Sequence, residues 1–362
     1  MPRRTVTMLT STLLLVALLC AGVLIPVPYA EMSPGPTVNT LAEHGGEEVL
    51  QVTGRKTYPS DGHLNMTTVR VTGADYRMNL AEAVYGWLSR NAVVPHSTLY
   101  PKGQTAQEAD EENAEEFNQS QESAKVAALE QLGIPVTTRV VVASVVKDSP
   151  AQKKLHAGDV IKYVDGKAVR KPADVAARVT EHKPGEWVEF TVVPAKQAAA
   201  AEKAGEPEPG TTETVTVTTR KAPEDGRAVV GIQAGTDHVF PFDIDIKLAD
   251  VGGPSAGLMF SLGLVDKLTP GSLTGGKFVA GTGTIDDEGK VGPIGGIAMK
   301  TIGAREKGAE YFLTPAENCE GALNGKPDGL TLVEVRTIKD AVDSLEKIAD
   351  GRAGSVPTCG RS

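Results

Sequence analysis

Apolar residues predominate from Val6 to Ile25, and run without a break from Leu13 to Ile25. As a helix, roughly 20 residues cross a bilayer core of about 30 Å. Arg3 and Arg4 precede the run, which favours a cytoplasmic N-terminus and an extracytoplasmic body. The pattern predicts a single-pass cell-membrane anchor over residues 1–30, meeting lipid through residues 6–25. The alternative is a cleaved signal peptide; a cut after Ala30 would set Pro28 at the −3 position, a poor fit. Cys20 follows Leu18-Leu19 and lacks the small residue of a lipoprotein cleavage site.

Beyond a Pro/Gly link (Ser33-Pro34-Gly35-Pro36), two runs predict strands, Glu48–Thr53 and Leu64–Val71, the second by alternation. Leu80, Val84 and Leu88 are spaced for a helix over 79–90. Residues 108–132 are acidic, then amphipathic, and predict a long helix with a solvated acidic face. From Val140, a strand, the turn Asp148-Ser149-Pro150, the strand Val160–Val164 and the tight turn Asp165-Gly166 follow. A helix is expected at 172–181 and strands at 187–193 and 213–219. Ala195 to Thr212 is polar and low in complexity and reads as a long hairpin loop. Helices are expected after Pro254, from Ile297 to Gly308, and from Ile338 to Ala349, with a strand at 311–313.

The 362 residues allow two or three domains. Hydrophobic residues make up 40% but aromatics only 4%, so the cores are aliphatic. The net charge of −9, with no long basic run, argues against nucleic acid as a partner. No cysteine has metal-ligand spacing, so neither a metal nor a cofactor is expected. Beyond the anchor, Cys319 and Cys359 meet an oxidising compartment and are expected to pair. The loop they close is 359 − 319 = 40 residues, for which chain entropy suggests about 4 kcal/mol.

Gly253-Pro254-Ser255-Ala256-Gly257 has the form of a nucleophile elbow. All six histidines precede Ser255, whereas an α/β-hydrolase needs its histidine afterwards. Ser255 is therefore either a helix cap or a nucleophile with another base. Pro254 suits a first helical turn, which places Ser255 by free N–H groups and the positive end of a helix dipole. Among later lysines, Lys267 lies about 18 Å along the helix, and Lys290 sits in the polar turn DDEGK. Lys300 has apolar neighbours, Ile297, Ala298, Met299 and Ile302. Burial would lower its pKa and leave an amine able to take the serine proton; the alternative is a snorkelling surface lysine. Lys300-Thr301 also resembles the end of a phosphate loop, but Met299 stands where that loop needs glycine.

Two resemblances join these pieces. Ser149-Pro150-Ala151, Leu155, Ala157-Gly158-Asp159-Val160-Ile161 and Val164-Asp165-Gly166-Lys167 resemble a PDZ domain. That implies a β-barrel-like sandwich with helices over 131–223, binding peptides or protein C-termini at a sheet edge. The groove is expected between the strand starting near Thr138 and the helix at 172–181, with a carboxylate loop at Leu132-Gly133-Ile134. GPSAG, then GTGTIDDEGKVGPIGGIAMK, then GAEYFLTPAEN resemble the proteolytic domain of Lon proteases, peptidase family S16. That implies a mixed α/β domain over 224–350 and a short tail over 351–362, in an α+β chain whose residues 31–130 pack with the catalytic sheet.

Carried over, Ser255 matches the nucleophile, Lys300 the base, and Thr282 a threonine that holds the lysine. The backbone around Gly253, Pro254 and Ser255, through its N–H groups, is the implied oxyanion hole. Gly252 departs from the acid usual before GPSAG, and Asp250 is out of register. The whole chain is similar to the PDZ-containing, membrane-anchored Lon-like serine proteases of bacteria that lack an ATPase module. The resemblance implies ATP-independent cleavage of polypeptides, and a homo-oligomer, since Lon-type domains commonly form hexamers. A PDZ scaffold with an unused protease fold, or a protein that cleaves only itself, stands as the alternative.

Overall fold

The computed structural model describes residues 3–89, 91–101, 103–206, 208–248 and 251–360. In chain order, the larger part begins with helix α1 (Arg3–Leu24), strands β1 (Tyr29–Asn39), β2 (Leu50–Thr53) and β3 (His63–Val71), helix α2 (Leu80–Leu88), strand β4 (Ala92–Pro95) and helix α3 (Ala106–Gln131). Next come β5 (Thr137–Val145), β6 (Val160–Val164), α4 (Pro172–Thr180), β7 (Trp187–Val193), α5 (Ala195–Ala204), β8 (Glu213–Thr218) and β9 (Ile232–Val239). The chain then returns through β10 (Asp243–Ile246), α6 (Gly257–Leu268), β11 (Phe278–Gly281), α7 (Ile297–Glu306), β12 (Tyr311–Pro315), β13 (Thr331–Val335) and α8 (Ile338–Ala349). Two compact units result, Pro135–Pro241 and the remainder.

In the larger unit a six-stranded sheet runs β13-β12-β11-β3-β1-β4. The pairs β3–β11, β11–β12 and β12–β13 are parallel; β1–β3 and β1–β4 are antiparallel. As a central strand, β3 buries four successive residues, Leu64 to Thr67. The alternation expected there gives way because both faces are covered. Helix α6 is buried from Gly257 through Asp266, as its nearly all-apolar sequence demands.

Two expectations for this unit change, and the helix expected over 79–90 is present. Helix α6 starts at Gly257, so Pro254 belongs to the preceding turn and not to the first helical turn. The acidic helix α3 is not merely a solvated face. It buries Ala109, Phe117, Ser120, Ala124 and Val126 to Leu129, and Phe117 meets Phe260 of α6 edge-on. Helix α2 turns Leu80, Val84 and Leu88 outward; Arg90, expected as its last residue, lies outside the described residues.

The smaller unit is a sheet ordered β8-β7-β6-β5-β9 around an aliphatic core that includes Val142, Leu155, Ile161, Val175 and Phe190. Asp165 and Gly166 both take positive φ, 50° and 70°, as the tight turn requires. The loop expected over 195–212 is a correction: its first ten residues form α5, which buries Ala198 and Ala201. Alanine is the strongest helix former, and Gly205 at φ 66° closes the helix in a left-handed cap.

Candidate active site

The turn 253–256 lies just before α6. Glycine at 257 lets the turn sit close to its neighbours, because a Cβ there would come within 2.8 Å of Ser120 Oγ and 2.9 Å of Ile285 Cγ2. Helix α3 holds the turn from one side. Ser120 Oγ donates to Pro254 O at 2.9 Å, and Gly253 N–H donates to Asn113 O at 2.9 Å. On the other side, Gly283 N–H and Thr282 Oγ1 both donate to Ser255 O, each at 3.0 Å.

Helix α7 is preceded by Gly296 in a left-handed conformation and brings Lys300 to Ser255, with Nζ 2.7 Å from Oγ. Lys300 Nζ also lies 2.9 Å from Thr67 O of β3 and 3.1 Å from Thr282 Oγ1. Lys300 is 2% exposed, and burial pushes its pKa down to about 7. Neither alternative drawn from the residues matches this arrangement: α6 has no side-chain cap, its N-cap being Ala256, and Lys300 does not snorkel.

The hydrogen-bond directions are set by chemistry. Thr67 O only accepts. Thr282 Oγ1 has one proton, committed to Ser255 O, so toward Lys300 it accepts. A neutral amine has two N–H bonds and one lone pair. With both N–H bonds engaged by Thr67 and Thr282, the lone pair is left for the Ser255 hydroxyl.

A cleft of about 300 Å³ opens over this pair, lined by Pro36, Met66, Val69, Arg70 and Val251 among others. Of the three backbone positions expected to hold an oxyanion, Pro254 carries no N–H and Gly253 gives its own to Asn113. Ser255 N–H remains, with the N-terminal end of α6 behind it. Asp250 lies outside the described residues. Among those described, no group of three or more His, Cys, Asp or Glu is placed to hold a metal ion.

Thr67, Asn113 and Ser120 were not foreseen. Thr67 is 233 residues from Lys300 and bonds through its backbone, so the sequence carries no sign of it. Asn113, Phe117, Ser120 and Ala124 form one helical stripe through a charged helix, a sign that was available. Cys319 and Cys359 are disulfide-bonded, Cα–Cα 5.2 Å. The bridge ties residue 359 to the segment after β12, and Cys359 N–H donates to Leu332 O of β13.

In the smaller unit the groove is not at β5, which pairs with β9 on one side and β6 on the other. Of the sheet's two edge strands, β8 and β9, it is β9 that lies beside α4. Helix α4 and β9 flank a cavity of about 540 Å³ whose lining includes Val175, Val179, Ala222, Val230 and Ile232. Leu132-Gly133-Ile134 follow α3 in the larger unit, and the segment entering β9 is 229–231. Gly231 has φ 80°, and a Cβ there would lie 2.2 Å from Ser149 Cβ.

Comparison with known proteins matches two stretches of the chain. Residues 113–198 match the family model of the PDZ domain, and residues 247–347 that of the Lon protease (S16) C-terminal proteolytic domain. Lon protease 2 of Bacillus subtilis (strain 168) is 31% identical over 110 residues, 29% of this chain and 19% of that protein. Lon protease of Bacillus thuringiensis (strain Al Hakam) is 41% identical over 78 residues, 22% of this chain and 9% of that protein. The PDZ domain of an SdrC-like protein from Listeria monocytogenes aligns with 25% identity over 26% of this chain and 86% of that one, at a TM-score of 0.21. The chain spans a fifth or less of the length of these curated relatives. It carries a PDZ domain and a serine-type peptidase domain of the Lon (S16) kind.

Proposed function

We propose that this chain is a membrane-anchored serine endopeptidase that cleaves polypeptides through a Ser255–Lys300 dyad without coupling to ATP. The observation that carries the reading is the 2.7 Å contact between Ser255 Oγ and a lysine amine buried to 2% exposure. Neutral Lys300 takes the hydroxyl proton as Ser255 attacks the scissile carbonyl. The negative charge on the carbonyl oxygen develops beside the Ser255 N–H and the N-terminal end of α6. Lys300 then protonates the leaving amine; neutral again, it takes a proton from the water that attacks the acyl group and returns that proton to Ser255 Oγ as the acid departs. Thr282 and Thr67 O hold the amine and act as positioning groups. A pure scaffold would have no use for a lysine amine kept out of water beside a serine.

A peptide C-terminus is the proposed guest of the smaller unit, added as a strand to β9, with its carboxylate at 229–231. Helix α1 is long and apolar enough to span a bilayer, and Arg3 and Arg4 would keep its start in the cytoplasm. The disulfide supports an extracytoplasmic body.

Hydrolysis of an unfolded polypeptide by purified protein tests the reading. The wild type should produce fragments in the absence of ATP. Equal cleavage by Ser255→Ala would rule the dyad out.

A further inference from the structure

Helix α2 packs the wrong way round for a helix that faces water. Its small residues, Ala83 and Gly86, point inward. Its large apolar residues point outward: Tyr85 is 69% exposed, Trp87 55% and Leu88 83%, with Leu80 and Val84 beside them. Glu82, its one charged residue, is occupied in the N-terminal cap, bonding Asn79 N–H and the Tyr76 hydroxyl. In a chain with 4% aromatic residues and two tryptophans, this short helix exposes one tyrosine and one tryptophan two residues apart. An exposed patch of this kind marks a contact surface.

The position of α2 says what it contacts. Leu80 N–H donates to Ile25 O at 3.2 Å and Val27 N–H to Met78 O at 2.8 Å, so the start of α2 is fastened to the residues that directly follow α1. Tyr29, a few residues after α1, meets the Trp87 ring edge-on at 5.7 Å. A segment fastened to the end of a bilayer-spanning helix lies at headgroup depth, where tryptophan and tyrosine are enriched. A short helix with an apolar face lies flat there.

We propose that the outward face of α2 docks into the interfacial layer of the bilayer that α1 enters. This rests on the reading of α1 as an anchor. The contact has a consequence for the active site. Strand β3 runs from Thr67, at the dyad, to Val71, four residues or about 13 Å away, and the chain then leads into α2. Docking holds the catalytic cleft close above the lipid surface.

The test uses the full chain with Trp187→Phe, which leaves Trp87 as the single tryptophan, in vesicles of phosphatidylcholine and phosphatidylglycerol. Flotation reports the anchor, and Trp87 fluorescence reports the docking. The protein should float, Trp87 should be quenched by lipid carrying a nitroxide at acyl carbon 5, and its iodide quenching constant should be at least fivefold below that of free tryptophan. Adding Tyr85→Ser and Leu88→Ser should raise that constant at least threefold with flotation unchanged. Flotation with Trp87 fully open to iodide and untouched by the nitroxide lipid overturns the docking and leaves the anchor standing. A Trp87 shielded from both quenchers would mean that a second copy covers the face, which also overturns it. Failure to float removes anchor and docking together.

Discussion

The cleft over Ser255 and the groove beside β9 are finished to different degrees. In the cleft the polar groups are already matched. Lys300 Nζ has three partners, Ser255 O has two, and Pro254 O is held by α3. The groove is apolar, with a strand edge whose hydrogen bonds await another chain. A preorganised site needs nothing from its ligand except the reacting bond. An edge-strand site borrows half its structure from the ligand. Damage to the first should therefore be close to all-or-none, and damage to the second graded.

The largest effect expected is from Ser255→Ala and Lys300→Ala, each lowering kcat by on the order of 10⁴-fold or more, with the double variant no worse, because the two act as one unit. Lys300→Arg should fail equally, since arginine stays protonated. Single-turnover kinetics of the four proteins check this; near-normal turnover by either lysine variant would break the contrast at once.

Next is Thr282→Val, which removes the acceptor that aims one N–H of Lys300 and the donor to Ser255 O. About 100-fold loss in kcat is expected, in line with a misplaced reacting group, with KM little changed. An unchanged kcat would show that the lone pair needs no aiming.

The third effect is on pH. The pKa of Lys300 is lowered by burial to about 7, and the proposed mechanism requires its neutral form. Activity should fall about tenfold per pH unit below that value and level off above it. The same shift bears on stability. Between about pH 7 and 10.5 the unfolded lysine holds a proton that the folded one has lost, so stability should rise with pH across that window. Chemical denaturation of Lys300→Met should show a flatter rise.

The smallest effect tests the open site. Ala176 lines the groove and is exposed, so Ala176→Glu adds charge without touching the core. Affinity for a peptide C-terminus, measured by calorimetry, should drop about tenfold, roughly 1.4 kcal/mol. Hydrolysis of a short peptide that does not reach the groove should stay the same.

The two sites also differed in how far the sequence revealed them. Burying a lysine requires apolar neighbours, and these sit next to Lys300 in the chain. The close turn at 253–257 requires glycines, and these are local too. The last helix was equally plain, with Thr337 and Asp340 forming a capping box ahead of an amphipathic run. The groove depends instead on which strand is left without a partner, and that is decided by β5 pairing with β9 about 90 residues away. In residues 195–204 two signals conflict: low complexity points to a loop and alanine content to a helix, and the helix forms. Helix α2 had the right period, but a period does not say which side is inward.

One measurement goes straight to the dyad: the rate at which a peptidyl boronate or fluorophosphonate modifies Ser255, followed by intact mass and peptide mapping from pH 5 to 9. The adduct should form on Ser255 alone, its rate should rise through about pH 7 to a plateau, and Lys300→Arg should abolish it. Modification of Ser255 at the same rate across that range, or undiminished labelling of Lys300→Arg, would contradict a serine activated by a buried neutral lysine.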